Sequence, residues 1–155
     1  MDALPLHPAV VHLPLGLAVL MPLLAAGFAW AAWTGRVGVN AWLAVIALQA
    51  VLVGSGYVAM RAGHAEEARV EKVVDESMIH EHEEMGEQFV WAAGATLALA
   101  VLVFVVRIPS ATRPLMACVV LAAIVVAALA VRAGQAGGEL VYVHGAASAY
   151  DGRAK

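Results

Sequence analysis

Charge is scarce in this chain of 155 residues. Only 14% of the residues are charged, whereas 63% are hydrophobic. A soluble domain of this size has no core large enough to bury that much apolar surface, so much of it must face lipid. The sequence also lacks the regular alternation of apolar and polar residues that a membrane β-barrel requires. The composition therefore indicates an integral membrane protein built from helices.

Other absences exclude whole classes of function. The chain has one cysteine, Cys118, so no intramolecular disulfide can form. No serine stands near a histidine and a carboxylate as in a hydrolase, and there is no glycine-rich phosphate loop or basic stripe for nucleic acid. The apolar segments lack the carboxylates of a proton pump. Residues 1–12 contain no Lys or Arg, so we expect no cleaved signal peptide. We expect a binding or redox module rather than an enzyme.

Four apolar runs are long enough to cross a bilayer. About 20 residues at a rise of 1.5 Å each span a hydrocarbon core of about 30 Å. Backbone amides inside lipid must be hydrogen-bonded within their own segment, so such runs are helices. The sequence predicts an all-α fold, an integral membrane four-helix bundle that forms one domain over residues 1–155. Its spanning helices are predicted at residues 13–33, 37–60, 88–106 and 115–131.

Two further segments are predicted outside the membrane. The acidic loop at residues 62–86 has apolar residues at helical spacings. It predicts an amphipathic outer helix over residues 66–86 that runs into the third spanning helix, with His82 pointing inward and His80 towards water. Residues 134–155 contain several glycines and then an apolar run. They predict a short, strand-like cap across the mouth of the bundle, with a frayed tail from residue 146.

The distribution of charge predicts the orientation. Arg36 lies in the first short turn, Arg107 and Arg113 bracket the other one, and neither turn contains an acid. The loop at residues 62–86 has eight acids against two basic residues. Because short loops rich in Lys and Arg stay in the cytoplasm, the acidic loop and both termini are predicted on the other side. All six histidines then lie on that outer side.

Four of these histidines are predicted to converge on a site. Ionisable groups at the membrane boundary usually face the bundle interior and serve function, and facing helices of a bundle assemble cofactor and metal sites. The predicted set comprises His7, His12, His82 and His144. Two imidazoles across a flat cofactor would hold haem b, whereas three or four imidazoles would suit copper or zinc.

Three interpretations follow from this set. The first is a haem b-binding electron-transfer module with His12 and His82 as the axial pair, and with Tyr142 or His144 near a propionate. His7 or His144 could substitute for an axial ligand. The second is a copper- or zinc-binding membrane protein, in which the sulfurs of Met78 and Met85 would favour Cu(I). The third is a non-catalytic membrane subunit whose histidines only hydrogen-bond the extramembrane cap.

Three motifs together resemble a known family. They are HPAVVHLPLG from residue 7, HEHEEMGE from residue 80 and GGELVYVHG from residue 137. With these motifs the chain resembles, over nearly its whole length, a bacterial four-helix membrane family known as domain of unknown function 2231. Similar domains occur fused to cytochrome c or Rieske-type modules, so the resemblance implies a place in membrane electron transfer.

The resemblance also implies a location and partners. We expect a multi-pass protein of the bacterial inner membrane with both termini on the periplasmic side, in contact with the lipid bilayer. A periplasmic cytochrome c, a Rieske-type protein or a quinone would be the redox partner. No nucleic-acid partner is expected, and a homodimer that completes a site is an open alternative.

Overall fold

The computed structural model describes residues 5–106 and 108–150, which form helices joined by short turns. A short helix α1 (Leu6–Val10) leads into α2 (His12–Trp33). A 3-10 turn (Val39–Trp42) precedes α3 (Leu43–Val70), which is followed by α4 (Glu76–Val106) and α5 (Pro109–Tyr142). A final 3-10 turn covers Ala146–Tyr150. No strand occurs in these residues, so the all-α prediction is confirmed.

Four of these segments have the length and hydropathy of membrane spans. They are Leu6–Trp33, Val39–Val70, Glu76–Val106 and Ser110–Tyr142. In the bundle, α2 packs between α3 and α5, and α4 packs between the same two helices on the other side. Large apolar side chains point outwards, among them Leu23, Trp91 and Val105. In a membrane these side chains face lipid, so the predicted four-helix membrane bundle is confirmed.

Small residues let the helices approach closely. Alanines recur in the buried stripes of α2, α4 and α5, for example Ala25, Ala93 and Ala123. Without a hydrophobic force between helices in lipid, such close contact supplies the packing energy. Two buried polar side chains add hydrogen bonds from α3 and its preceding turn to α4: Gln49 Nε2 donates to the Ala93 carbonyl and Trp42 Nε1 donates to the Ala100 carbonyl, both at 3.0 Å.

The predicted outer helix at residues 66–86 is divided in two. Its first part is the end of α3, residues 71–75 form a turn, and the rest is the beginning of α4. The break lies at Asp75, whose carboxylate accepts a hydrogen bond from the Ser77 backbone N–H at 2.9 Å, as an N-cap residue does. Bonding to the Ser77 hydroxyl and backbone lowers the pKa of Asp75. The sequence prediction overlooked this capping signal.

The prediction of a strand-like cap is wrong. The glycine-containing segment continues α5 as a helix up to Tyr142, about three turns beyond the predicted end of the span. The chain then turns at Gly145, whose φ of +74° suits glycine, into the last 3-10 turn. This turn covers residues 146–150 of the predicted frayed tail. Residues 151–155 of that tail, and Arg107, lie outside the described residues.

Candidate functional site

All six histidines lie at the same end of the bundle. We call it the histidine end, formed by α1, the last turns of α3, the first turns of α4 and the last turns of α5. His7, His64 and His82 are half-buried, whereas His12, His80 and His144 are exposed. The opposite end, where residues 34–42 connect α2 to α3 and where α5 begins, is called the turn end. The predicted convergence of four histidines is therefore met only in part.

His7 is held between α1 and α3. Its Nδ1 lies 2.8 Å from the carbonyl oxygen of Ala59, and because a carbonyl only accepts, the nitrogen is the donor. The neutral ring therefore carries its proton on Nδ1 and has a free lone pair on Nε2. The ring lies over Gly63, where an added Cβ would be 3.2 Å from Nδ1. Glycine at this position makes the close approach of the ring possible.

The short helix that carries His7 is anchored by Glu66. One carboxylate oxygen of Glu66 accepts hydrogen bonds from the backbone N–H groups of Leu6 at 2.6 Å and His7 at 3.2 Å. These donors at a helix N-terminus have no partner within the helix. The other oxygen accepts a hydrogen bond from the Tyr150 hydroxyl at 2.9 Å. One side chain of α3 thus fixes both the first helix and the last turn of the described chain.

Tyr150 is held tightly in this arrangement. Burial raises the pKa of Tyr150 to about 12, and the hydrogen bond to the Glu66 carboxylate acts in the same direction. The guanidinium of Arg69 lies over the tyrosine ring, 5.2 Å from its centroid, and partly opposes the rise. The last 3-10 turn is therefore docked on the end of α3 by a hydrogen bond and a cation–π contact.

His82 is wedged between α4 and α5. An added Cβ at Gly137 would lie 3.0 Å from Cε1 of the ring, so any larger residue there would require the ring to shift. The ring is hydrogen-bonded to the backbone of Ala133. Its Nδ1 is buried and has no hydrogen-bond partner among the described residues, which leaves Nε2 as the nitrogen that bonds Ala133. A buried polar atom without a partner is costly unless something binds it.

The two half-buried rings face each other edge to face. The ring centroids of His7 and His82 are 5.9 Å apart and their planes cross at 82°. The rings come from α1 and α4, and each is bonded to the backbone of a further helix, α3 or α5. Each ring therefore has one nitrogen occupied by backbone and one nitrogen without a hydrogen bond to the described chain.

His12 does not join this pair, and the prediction that it points inward is corrected. The buried stripe of α2 begins with Pro14 and continues through Ala18 and Met21. His12 stands two residues before Pro14, which corresponds to a rotation of about 200° around the helix. The side chain therefore lies on the opposite, exposed face of α2, and the predicted His12–His82 axial pair is not formed.

The predicted faces of α4 are confirmed. His80 is exposed, whereas His82, two residues on, is half-buried. His64 lies in α3, and its Nε2 is 3.8 Å from a carboxylate oxygen of Glu83. His64 thus lies beside Glu83 at the histidine end and is not part of the His7–His82 pair.

A cavity of about 240 Å³ opens beside His82, between α4 and α5. It brings His144 to the same site as His82, although the two are far apart in sequence. Tyr142, by contrast, is 89% exposed and does not line the cavity. The lining residues are Met78, Glu81, His82, Met85, Arg132, Gln135, Ala136, Glu139, Leu140 and His144.

Sequence reasoning missed several residues of the site. The carbonyls of Ala59 and Ala133 orient the histidine rings, but backbone groups leave no signal in a sequence. Glu66 is one acid among many in its segment, and its partners lie 60 and 84 residues away. Arg132 could have been found, because it is the first charged residue after the apolar run of the last span.

Comparison with known proteins gives one match. A family model described as "Predicted membrane protein (DUF2231)" matches residues 3–149. No curated protein and no solved structure matches the chain. The match covers the four spans, the histidine pair and the cavity, and its description names a membrane protein without naming an activity.

Proposed function

The chain belongs to the DUF2231 family of predicted membrane proteins, and we propose that it binds one copper(I) ion between His7 and His82 at its histidine end. The observation that carries this proposal is the buried Nδ1 of His82, which has no hydrogen-bond partner among the described residues and belongs to a ring 5.9 Å from that of His7. A metal ion would use the lone pair that protein groups leave free.

The backbone orients the two rings in the way that histidines which bind a metal are oriented. A ligating histidine normally donates its other ring N–H to a carbonyl or carboxylate, which fixes the ring and its tautomer. Ala59 serves His7 in this way, and Ala133 serves His82. Two imidazole nitrogens that bind one ion from opposite sides at about 2 Å each would place the ring centroids about 6 Å apart. The centroids are 5.9 Å apart, but the rings stand edge to face, so one ring must turn before both lone pairs, which lie in the ring planes, point at one ion.

The ligand set favours Cu(I) over zinc. Zinc prefers four ligands, and the residues described here contain no group of three or more His, Cys, Asp or Glu side chains placed to hold a metal. Copper(I) is a soft ion that thioether sulfur also binds. Met78 and Met85 line the cavity next to His82, so soft sulfur donors lie close to one of the two rings.

Haem b between His7 and His82 is the second candidate. Two imidazoles on separate helices favour it, as they would in any bundle that binds haem. The cavity beside His82 has about 240 Å³ and is not lined by His7, so it does not offer a haem both imidazoles. Copper(I) is therefore the first candidate for the ligand of the pair, ahead of haem b. Two predictions depend on the haem. One is electron transfer with a cytochrome c, a Rieske-type protein or a quinone, and the other is completion of the site by a homodimer.

We also propose that the protein lies in the bacterial inner membrane with its histidine end on the periplasmic side. The acids near the α3–α4 turn contrast with Arg36 and Arg113 at the turn end, in agreement with the positive-inside rule. In a Cys118→Ala background, an impermeant thiol reagent applied to intact cells should label a cysteine at Glu76 and spare one at Gly38. The reverse labelling would contradict this orientation.

Metal content tests the proposed ion directly. Protein purified in detergent and loaded with Cu(I) without oxygen should retain one copper ion per chain against a competing chelator. His7→Ala and His82→Ala should each abolish retention. His80→Ala is the matched control, since His80 is exposed two residues from His82, and His12→Ala should also leave copper bound.

Three results would contradict the copper proposal. Retention of copper by His82→Ala would exclude the pair as the site. Stoichiometric zinc without copper in the purified protein would show that zinc is the bound ion. A low-spin b-type absorption spectrum that disappears in His7→Ala and His82→Ala would instead establish the haem module.

A further inference from the structure

The cavity beside His82 has charges in a fixed order along α5. Arg132, Gln135 and Glu139 line it from one helix, and Glu81 lines it from α4. Since α5 runs towards the histidine end, Arg132 lies deepest in the membrane. Glu139 follows two turns further out, about 10 Å along the axis at 1.5 Å per residue. A positive group is thus placed below two negative ones.

An exposed apolar stripe continues directly below Arg132. Leu121 and Val125 stand eleven and seven residues before Arg132, on the same face of α5, and are 63% and 56% exposed. Arg132 follows directly on the apolar run of the last span, which ends at Val131, so the cavity lies at the outer end of that run with an apolar surface beneath it.

We infer that this cavity binds the headgroup of a phospholipid with a terminal amine, phosphatidylethanolamine. The phosphate would bind the guanidinium of Arg132, and the ammonium would bind the carboxylates of Glu81 and Glu139. The acyl chains would lie along Leu121 and Val125. This inference goes beyond the proposed copper site and does not depend on it.

The order of the charges distinguishes this lipid from others. In the phosphatidylethanolamine molecule the phosphate is bonded between the glycerol that carries the acyl chains and the ethanolamine, so the phosphate is nearer to the acyl chains than the ammonium is. The cavity has the complementary order. Phosphatidylglycerol has no ammonium for the two glutamates, and the trimethylated choline group has no N–H to donate to a carboxylate. Free phosphoethanolamine has no acyl chains, so it would make no contact with the apolar stripe below Arg132.

Lipid binding by the whole, metal-free chain tests the inference. Delipidated protein in detergent is mixed with equal amounts of phosphatidylethanolamine, phosphatidylglycerol and phosphatidylcholine, and bound lipid is counted by native mass spectrometry. Wild-type protein should retain phosphatidylethanolamine at least about tenfold better than the other two. Free phosphoethanolamine in excess should compete only weakly.

Two kinds of variant assign the contacts. Arg132→Gln should reduce binding of phosphatidylethanolamine about tenfold, whereas Arg132→Lys should keep most of it, because it preserves the positive charge. Arg61→Gln is the matched control, since Arg61 is an exposed arginine at the histidine end of α3. Glu139→Gln should remove the preference over phosphatidylglycerol and retain binding of the phosphate.

Several outcomes would overturn the inference. Equal retention of the three lipids by wild-type protein would show that the cavity does not select an amine headgroup. Equal losses of lipid binding in Arg132→Gln and Arg61→Gln would show that Arg132 does not bind the phosphate. Full competition by free phosphoethanolamine would point to a water-soluble ligand. None of these results bears on whether copper binds to His7 and His82, so the two proposals fail separately.

Discussion

The two ends of the bundle use polar groups in different ways. At the turn end, the Thr34 hydroxyl donates to the Trp30 carbonyl four residues earlier, and the Arg36 guanidinium lies over the Trp30 ring, 4.1 Å from its centroid. At the histidine end, Glu66 and His7 bond groups 52 to 84 residues away. The hydroxyl and guanidinium at the turn end make local contacts, and Trp42 there fastens packed helices together. The histidine end instead joins separate elements around a buried nitrogen that has no hydrogen-bond partner among the described residues.

This difference predicts that residues at the turn end determine the stability of the bundle and that residues at the histidine end determine ion binding. Trp42, near the turn end, is 1% exposed and bonds the Ala100 carbonyl, so it belongs to the packing of the bundle. The His7–His82 pair contributes little apolar packing, and its geometry depends on two glycines and two carbonyls. Substitutions at the turn end should therefore change the free energy of unfolding without changing ion binding. Substitutions around the pair should do the reverse.

The largest expected effect is on stability at the turn end. Trp42→Ala should lower the free energy of unfolding by about 3–5 kcal/mol, because it leaves a cavity and an unfilled hydrogen-bonding position. Unfolding in detergent, followed by circular dichroism, would measure it. Trp91→Ala is the control, since Trp91 is exposed. If the folded Trp42→Ala protein loses copper while Trp91→Ala keeps it, the two ends are coupled and the comparison fails.

Glu66→Ala should have an intermediate effect on both quantities. It removes acceptors for the N–H groups of Leu6 and His7 and for the Tyr150 hydroxyl. We expect a loss of about 1–3 kcal/mol in the free energy of unfolding and weaker copper binding, because α1 carries His7. Glu71→Ala, an exposed acid at the end of the same helix, should change neither. Unaltered copper affinity in Glu66→Ala would mean that α1 needs no anchor to position His7.

Gly137→Ala should affect binding more than stability. The added Cβ would lie 3.0 Å from Cε1 of His82, so the ring must move by a few tenths of an ångström. We expect copper affinity to fall about tenfold, equivalent to about 1.4 kcal/mol. Gly138→Ala is a matched control, because a Cβ there meets nothing within 4 Å. Equal affinities for the two variants, measured by chelator competition, would mean that the ring position is not critical.

The smallest expected effect is a dependence on alkaline pH at the histidine end. Burial raises the pKa of Tyr150 to about 12 in the folded protein, from an ordinary value of 10.0. Because the folded-state pKa is raised, the stabilisation is complete below pH 10 and is lost as the pH rises towards 12. Tyr150→Phe should lack this loss, and Tyr142→Phe, at an exposed tyrosine, should retain it. Identical pH profiles for the two variants would contradict the docking of the last turn on Glu66.

The sequence predicted those features that depend on local pattern. Apolar runs indicated four spans, and the spacing on α4 separated His82 from His80, because helical periodicity decides both. It failed at His12, where depth in the membrane was taken to imply an inward direction. Only the buried stripe that begins at Pro14 shows which way that side chain points. The pairing of His7 with His82 depends on how α1 docks on α3, and no short-range signal carries that information.

X-ray absorption at the copper edge tests the central claim most directly. The Cu(I)-loaded wild-type protein should give a first shell of two nitrogen atoms at about 2 Å, with the outer-shell scattering of two imidazoles. His80→Ala should give the same spectrum, and His7→Ala should lose one imidazole together with tight binding. A first shell of four nitrogen or oxygen atoms, or a wild-type spectrum without paired imidazoles, would contradict a copper ion held between His7 and His82.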